Sequence, residues 1–313
     1  MSAQTGAFFC QLKTSGLIAF TGEDAAPFLH AQLTSDVAAL GASRTQYSGY
    51  CSPKGRLLAT ALIWPRASAI VMVLPAALRE SIQTRLAKYV LRARVKISDA
   101  SAELALFGVA GEHADAGLSS LFGGRTAALH GIVASGRHEL TRLPVERYLL
   151  LVPAQDAVGI RETLLEFATE REESAWSALD VEAGIPVITA AAQDEYVPQM
   201  VNLDLIGGVS YTKGCYPGQE IVARTHYLGK LKQRMYRIRV TEERLAAGDP
   251  LYSAEFGPDQ ASGSILYGDS GVSGSHEGLA VLQKSAVESG SLRLRSPDGP
   301  AVEVLPLPYP VPA

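Results

Sequence analysis

Cysteine is scarce in this chain of 313 residues. Cys10, Cys51 and Cys215 form no C-x-x-C pair and stand at no Cys/His ligand spacing. Neither a disulfide framework nor a structural zinc site is suggested, no tightly bound metal is expected, and a reducing cytoplasm suits such a count. No run of 18 or more apolar residues occurs, and the N-terminus MSAQTGAFFCQLKTSG lacks a basic segment followed by an apolar one. The protein is expected neither to span a membrane nor to be exported. G-x-G-x-x-G and Walker A sequences are both missing, so neither nucleotide fingerprint is available. Charge of one sign is also missing: 28 Lys and Arg against 32 Asp and Glu give a net charge of −4. No global attraction to nucleic acid or an anionic membrane follows, so any anion site has to be local.

What is present is ordinary globular material, 47% hydrophobic and 19% charged, long enough for two or three domains. Leu17 to Phe20 reads as a strand, and Glu23-Asp24 open a helix that carries Phe28 and Leu29 inward. Arg44 to Cys51 and Arg56 to Trp64 alternate as the arms of a hairpin with the basic tip Ser52-Pro53-Lys54-Gly55. Ala69 to Leu74 is an apolar strand, and Pro75 starts a helix over 76–90 with Leu78, Ile82, Leu86 and Val90 at helical spacing. The same grammar returns in Tyr148 to Val152, Pro153 and a helix over 156–169. Two related α+β modules are expected, not a doubly wound parallel sheet. From Met235 onward, strands at 236–240, 265–267, 279–282, 292–294 and 302–305 between turn signals predict a small all-β barrel or sandwich. The expected modules are 1–100, 101–234 and 235–313. The span from Ile221 to Thr241 holds Arg224, Lys230, Lys232, Arg234, Arg237 and Arg239 and no acid. It is either a solvated face or a local polyanion site.

Chemistry is densest at Lys213-Gly214-Cys215-Tyr216-Pro217-Gly218-Gln219-Glu220. Pro217 and Gly218 occupy the central positions of a type II turn, and Gln219 to Arg224 opens a helix with Glu220 in its first turn. A thiol just before a helix N-terminus, between Lys213 and Arg224, is placed to become reactive. The alternative is a small, half-buried core residue.

This octapeptide resembles the YgfZ family, folate-binding relatives of the glycine cleavage T-protein (aminomethyltransferase). So do Phe28 to Val37, Ser52-Pro53-Lys54-Gly55-Arg56, Glu182-Ala183-Gly184-Ile185-Pro186, and Pro198-Gln199 through Asn202-Leu203 to Gly207-Gly208-Val209-Ser210, in that order. The resemblance implies an α+β, T-protein-like ring of two ferredoxin-like modules and a C-terminal β-barrel around a channel for tetrahydrofolate. It also implies a link to assembly or repair of iron-sulfur enzymes, a tRNA-thiolating one among them. By this resemblance Cys215 is the functional thiol, with Lys213 and Arg224 beside it, while Tyr216 and Gln219 shape the loop. Glu182 matches an acid that pairs with the pterin edge, and Trp176 a folate-contacting tryptophan. Asp36 and Asn202 belong to the matching segments, and Lys54, Arg56 or Arg224 suit the anionic glutamate tail.

Two departures matter: the family often has an aromatic residue near the positions of Ser15 and Gly16, and this chain has none there. The T-protein's catalytic acid falls here on Ala59 and Thr60, which disfavours glycine-cleavage transferase activity. Three functions are therefore weighed: a folate-dependent accessory protein serving iron-sulfur enzymes or their assembly factors, without direct nucleic-acid binding; a one-carbon transferase; and a non-catalytic scaffold with an inherited folate pocket.

Overall fold

Strand, proline and helix recur twice along the chain. The computed structural model describes residues 6–66, 68–241, 243–272 and 274–312. The strand Ala69–Pro75 ends on the proline that opens the helix Ala76–Ala87. Arg147–Pro153 leads in the same way, through the turn Ala154–Asp156, into the helix Ala157–Leu165. Proline fits both starts because its φ is preset and the N–H it lacks has no intrahelical partner there. Leu78, Ile82 and Leu86 are buried along one face of the first helix. Both helices stop earlier than the spacing predicts. After Ala87 the N–H groups of Tyr89 and Val90 fall back on carbonyls three residues earlier. After Leu165 the chain is drawn off to form Thr169–Glu170, a strand parallel to Phe8–Gln11.

The chain forms two compact units. The first takes the chain up to Phe28, Val37–Gln46 and Leu62–Trp176; the second takes Leu29–Asp36, Tyr47–Ala61 and the chain from Ser177. In the first unit a six-stranded sheet runs in the order Thr169–Glu170, Phe8–Gln11, Leu104–Ala110, Arg147–Pro153, His138–Leu143, Ile132–Ser135. Phe9, Phe107, Leu118, Phe122, Leu150 and Leu164 fill its core. Also in this unit, Ser15–Thr21 lies between Ala69–Pro75 and Lys96–Asp99, antiparallel to both. Besides Thr169–Glu170, which falls at the end of the expected helix, two strands of the six-stranded sheet escape the sequence reading. Phe8–Gln11 begins with three fully buried residues and so shows no alternation, and His138–Leu143 is masked by its charged residues.

The second unit holds the hairpin tip, closed by Ser52 N–H to the Arg56 carbonyl at 2.8 Å and Gly55 N–H to the Ser52 carbonyl at 2.9 Å. Its main sheet has six strands in the order Leu292–Leu294, Pro250–Ser253, Gly263–Val272, Ser275–Gln283, Gln233–Thr241, Val302–Leu305. The outer strands approach through a bridge between Arg293 and Ala301, so the sheet is nearly closed and barrel-like. Ile238, Val240, Leu251, Ile265, Leu282 and Leu294 line its core. Pro250–Ser253 is the strand that the sequence disguises, because its proline reads as a turn signal.

Within the acid-free span, Arg237 and Arg239 both pair with Glu277 on the neighbouring strand, and Arg239 reaches Glu303 as well. Those two arginines belong to a solvated, charge-paired face. Lys230 and Lys232 are not buried. Among the described residues, no helix is long and apolar enough to cross a membrane.

Candidate functional site: the cysteine loop

Pro217 and Gly218 make the bend their identities require. The Gln219 N–H donates to the Tyr216 carbonyl at 3.1 Å, and Gly218 adopts φ 81° and ψ 3°, the values of a type II turn's third residue. The helix Gln219–Tyr227 follows directly and runs three residues past Arg224. Just before the bend, Cys215 is exposed, whereas Cys10 and Cys51 are buried. Burial, with Asp194 nearby, pushes the Cys51 thiol far up, so that sulfur stays protonated and inert. Of the two readings of Cys215, the half-buried core residue is the one that exposure removes.

The loop is held from below by Lys213, itself buried. Its ammonium donates to the carbonyls of Leu33 at 2.6 Å and Ser35 at 3.1 Å, and to that of His30. All three of its hydrogens are thereby used. Its charge also lies 5.0 Å from the centre of the buried Tyr216 ring. Burial lowers the lysine to about 8, opposed by the Asp36 carboxylate. Gln219 adds a side-chain bond to the Lys213 carbonyl at 3.4 Å.

The segment under the loop contributes two further groups. His30 Nδ1 stands 3.1 Å from Asp36 Oδ1, both side chains partly exposed. The space on the side-chain side of Gly214 is open: a Cβ there would meet no heavy atom within 4 Å except His30 Nε2, at 3.9 Å. The hairpin tip touches the loop more closely. A Cβ on Gly218 would stand 2.5 Å from the Gly55 backbone and from the Ser52 carbonyl, and one on Gly55 would stand 2.8 Å from Ile221 Cβ. Both glycines have positive φ, 71° and 81°. Lys54 on that tip is exposed, and exposed Arg56 donates to the carbonyls of Glu195 and Asp194. Arg224 is exposed, with no ion pair among the described residues.

A strut supports the loop's helix from the barrel-like sheet. Asn202, fully buried with φ 59°, donates from Nδ2 to the Met235 carbonyl at 2.8 Å. Arg234 grips Asp204 through two bonds of 2.7 and 3.1 Å and donates to the Gln199 carbonyl at 2.7 Å. Gln199 Nε2 then donates to the Val222 carbonyl in the helix at 2.7 Å. Sequence reasoning passed over Gln199, Asp204 and Arg234 as working residues; an acid directly after Asn202-Leu203 gives no sign of a partner thirty residues on.

Glu182 is half-buried at the end of the helix Ser174–Glu182, and no described residue gives its carboxylate a hydrogen bond or ion pair. The Gly184 carbonyl two residues on accepts the Tyr309 hydroxyl at 2.6 Å, so the proline-rich tail fixes this segment. Thr60, at the position of the T-protein acid, donates to the Pro186 carbonyl at 2.8 Å and accepts the Ile188 N–H at 3.1 Å. Its hydroxyl is committed to holding the chain after Glu182. In the first unit, Trp176 is buried against Gly108, and the guanidinium of fully buried Arg147 lies 4.7 Å from its ring centre. A cation at the head of an apolar strand was the one sequence sign of Arg147. No cluster of three or more potential metal ligands occurs among the described residues.

Comparison with known proteins places these features. The GCVT N-terminal domain family matches residues 1–134. The tRNA-modifying protein YgfZ of Yersinia pestis (strain Pestoides F) is 30% identical over 296 residues, 94% of this chain and 89% of its own. The same protein from Yersinia enterocolitica serotype O:8 / biotype 1B (strain NCTC 13174 / 8081) is similar to the same extent. Among solved structures, glycine cleavage system aminomethyltransferase T from Bartonella henselae superposes with a TM-score of 0.80, at 18% identity, over 97% of this chain and 86% of that one. The fold is therefore α+β and T-protein-like.

Proposed function

The chain belongs to the YgfZ family, and from that premise we propose that it is a tetrahydrofolate-binding accessory protein for the assembly or repair of iron-sulfur enzymes, including tRNA-modifying ones. It acts through Cys215. The observation that carries this reading is the contrast among the three thiols: one stands exposed on a turn anchored by Lys213, and the other two are sealed in the interior. One thiol does not hold a cluster, which takes about four ligands, so the clients or their assembly factors supply the rest of any cluster the thiol meets. Nucleic acid is not bound directly in this reading, and the working compartment is a reducing cytoplasm.

Tetrahydrofolate, when bound, supplies a carrier for a one-carbon unit. The residues present fit it in one respect: Glu182 offers a half-buried carboxylate to which no described residue donates, and a pterin presents adjacent N–H donors to such a group. Lys54, Arg56 and Arg224 are exposed cations for the glutamate tail. Glu182→Ala is expected to weaken tetrahydrofolate binding by about 1–3 kcal/mol. Calorimetry checks this, and unchanged affinity removes Glu182 from the site.

An aminomethyl transferase would need an acid where Thr60 is engaged with Pro186 and Ile188, which weighs against that alternative. The decisive experiment is complementation of a deletion strain, scored by iron-sulfur enzyme activity. Cys215→Ala is expected to abolish rescue while Cys10→Ala keeps it. Full rescue by Cys215→Ala would leave the scaffold reading in its place.

A further inference from the structure

We propose that the outer face of the helix Gln219–Tyr227, continued by Leu228, Lys230 and Lys232, is the surface on which a client protein docks, and that the client presents an apolar patch bordered by Asp and Glu side chains. The inference rests on the reading of this chain as an accessory protein, not on the chemistry of Cys215. Single exposed apolar residues are ordinary on any surface. Here, among the described residues, three of the eight large hydrophobic side chains left exposed fall on this one helix and its cap: Ile221, Tyr227 and Leu228. Ile221 and Leu228 stand seven residues apart with Arg224 between them, so the three share one stripe of the helix. The opposite side is engaged. Val222 is buried, and its carbonyl accepts the Gln199 amide. The helix is thus fixed from within and turns the stripe outward.

Two of the exposed groups are suited to contact. Leu228 is 82% exposed and Tyr227 65%. The Tyr227 ring meets that of His226 edge-on at 4.7 Å, and His226 stacks on Tyr211 at 3.7 Å, so the aromatic is held in place and loses little freedom on binding. Charge selects the occupant. The chain as a whole stands at −4, yet no acid lies between Ile221 and Thr241, and Glu220 is the only acid of the helix. Lys230 and Lys232 are exposed, with no ion pair among the described residues. Both line a cleft of about 880 Å³ shared by Lys284, Glu255 and Glu288; with Asp204 bound to Arg234, its cations outnumber its remaining acids. A protein surface rimmed by carboxylates matches this sign. A second copy does not, because a symmetric contact through this face would set the lysines against their own counterparts. Nucleic acid would use the lysines but leave Ile221 and Leu228 without a match. Ile221 also lies against Gly55 of the hairpin tip, so the face begins directly after the bend that follows Cys215.

The test is complementation of the deletion strain, scored by iron-sulfur enzyme activity, with Leu228→Asp and with Lys230→Glu/Lys232→Glu in the full chain. Each variant changes only exposed side chains. Circular dichroism and the rate at which iodoacetamide alkylates Cys215 are expected to match the wild type's. Restored activity is expected to fall about 10-fold in each variant, through loss of an apolar anchor in the first and of charge matching in the second. Full rescue by either variant overturns the proposal. So does a changed alkylation rate, which would mean that the substitution acts through the thiol's loop. Two measurements on the purified chain cover the other occupants. Sedimentation would reveal a dimer that Leu228→Asp dissolves, and filter binding of bulk tRNA at low salt would reveal an RNA site that Lys230→Glu/Lys232→Glu removes. Either finding gives the face to another partner and overturns the proposal. If Leu228→Asp fails to rescue while Cys215→Ala rescues in full, the surface stands and the thiol reading falls. The reverse pair of results sinks the surface and keeps the thiol.

Discussion

Asp204→Ala should lower the free energy of unfolding by about 3–5 kcal/mol, the cost of leaving a buried guanidinium without its carboxylate. The pair is almost sealed, with side chains 8% and 11% exposed, and bidentate at 2.7 and 3.1 Å. A pair on the surface would contribute no more than about 1 kcal/mol. Here the arginine also donates to Gln199, which in turn donates to the helix behind the cysteine turn. Urea titration measures the effect, and a loss below about 1 kcal/mol would mean that water reaches the pair. Replacing both partners with apolar residues, Asp204→Leu with Arg234→Met, should recover much of the stability.

Lys213→Met should cost about 2–4 kcal/mol, because the Leu33 and Ser35 carbonyls lose their donor in a buried place. The same residue gives a pH signature with a definite sign. Its folded value of about 8 lies below the 10.5 of an ordinary lysine. Below pH 8 it is protonated in both states and adds no slope. Between about 8 and 10.5 the unfolded chain holds the proton more tightly, so this residue makes stability rise with pH. Lys213→Met removes that contribution, and the gap between wild type and variant should widen from pH 7 to pH 10. Urea midpoints that run parallel across that range would show that Lys213 titrates normally.

Much of the scaffold was legible because local rules and tertiary demands agree. Pro217-Gly218 encodes the bend, Pro75 and Pro153 encode two helix starts, and Leu78, Ile82 and Leu86 encode a buried face. Pro250–Ser253 and Phe8–Gln11 were not legible, since a proline at a strand's first residue and an unalternating buried strand both mimic other structures. At the site, residue types were easier to read than their employment. Lys213 stands two residues from the thiol in sequence, yet its ammonium is turned to carbonyls some 180 residues away. Asn202 likewise has its amide engaged by Met235. Long-range hydrogen bonds of this kind leave no periodicity behind, so Arg147, Gln199, Asp204 and Arg234 came to light only in three dimensions.

The back-to-back contact of Gly55 and Gly218 makes the basic hairpin and the thiol-bearing turn a single mechanical part. With no cushion of side chains between them, neither can be raised, tilted or lengthened alone. Any displacement of Lys54 and Arg56 therefore displaces the sulfur's mounting too, and evolution can retune the distance from charge to thiol only by rebuilding both bends together.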